Sequence, residues 1–61
     1  MPMSGKEMLK LYLRNNWELD HVNGSHHIVI KNGVSVSIPV HSNKDLKKGL
    51  EQKLLKLGGF K

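Results

Sequence analysis

Two Asn-Gly dipeptides, Asn23-Gly24 and Asn32-Gly33, bracket a short run rich in Ile and Val, and they restrict the fold more than any other feature. Asn-Gly between apolar runs is the strongest short-range hairpin signal, because both central positions accept positive φ. Three strands joined as an antiparallel meander follow. In the first, Trp17, Leu19 and His21 are expected on one face and Glu18, Asp20 and Val22 on the other. Ser25 to Lys31 supplies the second. In the third, Val34, Val36, Ile38 and Val40 alternate with Ser35, Ser37, Pro39 and His41. Pro39 has no N–H to give a ladder, so that strand lies at an edge or ends there.

Helical signals flank the meander. Ser4-Gly5-Lys6-Glu7 fits a capping box. Met8, Leu9, Tyr12 and Leu13 then recur at helical spacing, and Asn15-Asn16 is a suitable stop. After a polar loop, His41 to Asp45, the residues Leu46, Leu50, Leu54 and Leu57 form a second stripe with Leu55 beside it. Gly58-Gly59 closes that helix, and Gly49 is an alternative place for it to begin. Met8, Leu9 and the C-terminal leucine stripe are expected in the core, as is Trp17, although a lone tryptophan can also stack a base. The order is α-β-β-β-α, an α+β fold with two helices on one face of a three-stranded antiparallel sheet.

A chain of 61 residues holds one small domain, expected over residues 1–61. Without cysteine it has neither disulfides nor thiolate zinc sites. It shows no membrane-spanning run and no signal-peptide core, so a soluble cytoplasmic protein is expected. The net charge of +5 is one-sided. Residues 1–30 balance, whereas Lys31, Lys44, Lys47, Lys48, Lys53, Lys56 and Lys61 face only Asp45 and Glu51 in the second half. Such a field suits a phosphate backbone or an acidic protein, and solubility alone is the plain alternative. The lysines around the start of the second helix are either a phosphate site or a solvated face.

Four histidines are many for this length. His26 and His27 are neighbours on a strand, so one faces the helices and the other solvent; the pattern on both sides is too apolar to say which. Splayed neighbours cannot hold zinc alone, and no spacing with His21 and His41 demands a metal. What remains is a bland surface pair, a phosphate or base contact, or general acid–base catalysis. RNA brings its own nucleophile in the 2′-OH, so its cleavage needs only a base, an acid and a cation. The chain lacks a P-loop, a dinucleotide-binding glycine motif, a carboxylate cluster and a nucleophile elbow.

Gly5-Lys6-Glu7-Met8-Leu9-Lys10-Leu11, Trp17-Glu18-Leu19, Gly24-Ser25-His26-His27-Ile28, Val36-Ser37-Ile38-Pro39-Val40-His41, Lys44-Asp45-Leu46-Lys47 and the closing Gly58-Gly59-Phe60 together resemble the HicA-type mRNA interferase toxins. The resemblance covers about residues 3 to 60, and its most specific part is Gly-Ser-His-His followed by Pro-x-His at the end of the next strand. It implies a fold like a double-stranded-RNA-binding domain and metal-independent cleavage of mRNA by a histidine of the Gly24–His27 motif. It also implies neutralisation by a HicB antitoxin in a toxin–antitoxin complex, with no cofactor. His26 and His27 are then the catalytic candidates. Gly24, Ser25, Lys44, Lys47 and Lys48 are candidates for RNA contact, with His41 as phosphate contact or second proton donor. Lys48 stands where many members have Pro, and Asn16 where Gly is usual. The rival is a non-catalytic RNA-binding module on the same fold, and a partner-stabilised fragment with no nucleic-acid role is a third reading.

Overall fold

The computed structural model describes residues 3–41 and 44–60. Its elements are α1 (Gly5–Arg14), β1 (Glu18–Asn23), β2 (His26–Lys31), β3 (Val34–Pro39) and α2 (Lys48–Leu57). The strands form one antiparallel sheet in the order β1-β2-β3. Architecture and order are those expected from the sequence. Ser42 and Asn43 of the expected polar loop lie outside the described residues.

Both ends of α1 follow from local chemistry. The Ser4 hydroxyl accepts from the Glu7 amide, and the Glu7 carboxylate accepts from the Ser4 amide, completing the capping box. These Ser4 hydrogen bonds, with Lys10 nearby, hold the Glu7 carboxyl below its ordinary pKa. Asn15 caps the other end, and Asn16 takes the left-handed conformation at φ 70°. At the end of α2, the Phe60 amide donates to Leu55 and the Gly59 amide to Lys56, with Gly59 at φ 76°. That is a Schellman closure, and it folds Phe60 back over the core.

The core lies between the helices and the sheet face carrying Val29, Val36 and Ile38; Met8, Tyr12, Trp17, Leu46 and Leu54 complete it. Tyr12 is its hub. Its ring meets Trp17 and Phe60 edge-on at centroid distances of 4.9 and 5.0 Å, so the three aromatic residues of the chain gather at one point. The Tyr12 hydroxyl donates to the Leu54 carbonyl, tying α1 to α2. Burial pushes the Tyr12 phenol above its ordinary pKa.

Four expectations are corrected. The first concerns β1, where a bulge between Leu19 and His21 breaks the alternation. Leu19 pairs with Val29 and Val22 with His27, so both fall on the helix-covered side, while His21 pairs with Ile28 on the open side. Second, the first hairpin turns one residue later than expected. Asn23 still pairs with His26, leaving Gly24-Ser25 as the turn, with positive φ only at Gly24. Asn32-Gly33 behaves as expected, with φ of 50° and 79°. Third, α2 begins at Lys48, so Leu46 is buried from an extended segment instead of a helix. Its amide donates to the Met3 carbonyl, and Asp45 forms a bridge with Ser4. Fourth, Leu57 of the leucine stripe is exposed, at 50%. Phe60, beyond the end of α2, packs edge-on against Tyr12.

Candidate functional site

The Gly24-Ser25 turn and the end of β3 meet at one corner of the sheet. Gly24 supplies the positive φ, 63°, that lets the chain reverse in two residues. His26 then opens β2 opposite Pro39, and His27 follows opposite Ile38. Successive strand residues point to opposite faces, so this register decides what the sequence left open. His27 shares the helix-covered face with Val29 and is half-buried, its Nδ1 buried without a hydrogen-bond partner. His26 is exposed on the open face with Ile28 and Ile30.

Pairing continues beyond the last residue of β3. The Val40 amide donates to the Ser25 carbonyl at 2.7 Å, which carries His41 alongside the start of β2. The His26 and His41 rings lie 6.5 Å apart, centroid to centroid, at an interplanar angle of 79°. Both residues are exposed. His21, on β1 opposite Ile28, shares the open face, its Nδ1 2.7 Å from an Asp20 carboxylate oxygen.

His41 also lines a groove of about 400 Å³ with Pro39, Lys44, Lys47 and Leu50. One wall is the segment that Met3 and Ser4 hold through Leu46 and Asp45. The other is the beginning of α2. Lys47 occupies the cap position there and makes no side-chain hydrogen bond to the helix. Gly49 faces open space in the first turn. Free amides of an uncapped first turn and two lysines give this groove an attraction for anions.

Of the residues singled out from the sequence, Gly24, Ser25, His26 and His41 meet at this corner, and Lys44 and Lys47 line the groove that His41 shares. Lys48 is exposed at the first position of α2 and is not among the groove residues. Trp17 is buried, which removes it from contact with a base. Sequence reasoning missed Gly5, whose position against Pro39 and Val40 helps fix the end of β3. It also missed Asp45, which places a carboxylate in the groove among the lysines. Nothing local marks either, because each depends on a contact between segments remote in the chain. Among the described residues no three His, Asp or Glu side chains are grouped so as to hold a metal ion. No described helix is long and apolar enough to cross a membrane.

No curated protein matches the chain at a significant level. A family model described as the HicA toxin of bacterial toxin–antitoxin systems matches residues 5–59, which include both helices, all three strands and every residue of this corner. The chain therefore belongs to the HicA toxin family, and as the toxin of such a system it has an antitoxin for a partner.

Proposed function

We propose that this toxin is an endoribonuclease that cleaves mRNA in the cytoplasm by histidine acid–base catalysis, without a metal ion. The observation that carries the reading is an exposed imidazole, His26, paired ring to ring with His41, which lines a groove with Lys44 and Lys47, in a chain of the HicA family. Nucleophilic attack on RNA begins with loss of the 2′-OH proton, and imidazole is the side chain whose charge changes near neutral pH. Lys44, Lys47 and the first turn of α2 attract the phosphate backbone and stabilise charge developing at the scissile phosphate. Gly24 and Ser25 shape the turn that presents His26. His27, turned towards the helices, supports the same strand.

Backbone charge, not base edges, dominates such a surface, so sequence preference is low. A HicB-type antitoxin neutralises the activity by covering this corner. The second reading is an RNA-binding module without chemistry, in which the same groove holds RNA and the histidines only touch sugar or phosphate.

The test uses purified, antitoxin-free protein and a labelled RNA. Cleavage is expected with EDTA present, and His26→Ala is expected to abolish it while leaving fold and RNA affinity intact. Intact RNA after prolonged incubation with the wild-type chain favours the binding-only reading. If His26→Ala still cleaves and a folded His27→Ala does not, the role passes to His27.

A further inference from the structure

We infer that His41 is a second catalytic residue, acting with His26 as a base–acid couple across a single phosphodiester. The inference rests on the ribonuclease reading and adds to it the group that serves the leaving oxygen.

Geometry carries the argument. The two ring centroids are 6.5 Å apart, too far for a direct hydrogen bond between the imidazoles. Each ring nitrogen reaches a proton donor or acceptor at about 2.6–3.2 Å. Hydrogen bonds of that length, one from each ring, bracket a phosphodiester lying between them. The spacing is built in by the ladder: His26 sits opposite Pro39, and the Val40-to-Ser25 hydrogen bond extends the pairing to the residue before His41. A second anchor is the Lys44 amide, which donates to the His41 carbonyl at 2.9 Å. His41 thus belongs both to the pair and to the basic groove, where a phosphate held by Lys44 and Lys47 would arrive.

The chemistry needs two proton-transfer groups in opposite states. One neutral imidazole takes the 2′-OH proton while the 2′-oxygen lone pair forms a new bond to phosphorus. The P–O5′ bond breaks, its electron pair staying on the 5′-oxygen, which takes a proton from the second, protonated imidazole. The products are a 2′,3′-cyclic phosphate and a 5′-hydroxyl, and no oxidant, metal or water is consumed. One imidazole ends protonated and the other neutral, and exchange with solvent resets both. Among the described residues, the titratable and charged groups on the elements about the couple are Lys44, Asp45 and Lys47 along the groove, His27 beside His26 on β2, and His21 with its partner Asp20 on β1.

The experiment compares wild type, His26→Ala, His41→Ala and His41→Gln on a short RNA under single-turnover conditions, from pH 5 to 9. His21→Ala, at a histidine on the same open face that Asp20 holds on β1, is the control and should cleave as wild type does. Both His41 variants are expected to lose about 10²- to 10⁴-fold in rate at saturating enzyme. Their RNA affinity should change little, and the bell-shaped profile of the wild type should lose one limb. A substrate with a 5′-thio leaving group, which needs no acid, should restore most of the rate to whichever variant lacks the acid. If wild type cleaves but both His41 variants keep its rate and bell-shaped profile, the inference fails and the ribonuclease reading stands. A pure loss of affinity with rate and profile unchanged reduces His41 to a phosphate contact, which also overturns it. If wild type cleaves nothing, the ribonuclease reading itself has failed.

Discussion

Gly5, the first residue of α1, lies against the carbonyl of Pro39, the last residue of β3, with no room between them for a β-carbon. The same virtual β-carbon would meet the Val40 backbone. Helix α1 therefore rests directly on the stretch that carries the chain from Pro39 to His41.

Gly5→Ala is accordingly expected to cost about 1–3 kcal/mol, because the neighbour is backbone and cannot swing aside as a side chain would. The strand end should shift with it, so RNA cleavage should fall more than the loss of folded protein explains. Urea unfolding with activity measured on the folded fraction checks this. An unchanged midpoint would show that α1 can slide.

Tyr12→Phe removes the hydroxyl that ties α1 to the Leu54 carbonyl while keeping the ring contacts with Trp17 and Phe60. The Gly58 amide also donates to Leu54, so that carbonyl is not orphaned. The expected loss is about 1 kcal/mol. Because burial raises the phenol's folded-state pKa, its contribution is full below the unfolded value of about 10 and fades as pH rises through the folded one. Wild type should therefore show an alkaline loss of stability that Tyr12→Phe lacks. Parallel denaturation curves at pH 8 and pH 11 read the difference.

The capping box predicts the opposite limb. Hydrogen bonds from Ser4 depress the folded-state pKa of Glu7, so its contribution is present above the unfolded value and is lost as pH falls through the folded one. Glu7→Gln should be less stable than wild type at pH 6 and draw level towards pH 3. Ser4→Ala should cost about 1 kcal/mol at neutral pH. Unfolding midpoints that stay equally separated at both pH values would remove Glu7 as the titrating group.

Gly49 faces open space within α2, and its φ is not in the left-handed region. Gly49→Ala should raise stability by roughly 0.5–1 kcal/mol through helix propensity. The added methyl narrows the approach to the uncapped first turn, so RNA affinity should fall slightly even as the melting temperature rises. Affinity rising together with stability would mean that RNA does not use that turn.

The sequence alone determined the order of elements, because its signals are local. Asn-Gly turns, a capping box and a paired glycine stop each act within a few residues, and apolar periodicity chose helix or strand between them. It also marked the histidine motif and the basic second half. What it could not fix depended on parity and on contacts at long range. A single bulged residue in β1 moved Leu19 and Val22 to the same side, and a turn displaced by one residue set where β2 begins. Phe60 folds back on Tyr12, while Leu57 is left exposed. Which of His26 and His27 faces outwards was settled only by the pairing of β2 with β3, since a strand alternates faces at every residue. The meeting of His26 with His41 is likewise a product of the tertiary structure. It needs the ladder to run one hydrogen bond past β3, with Gly5 holding that end in place.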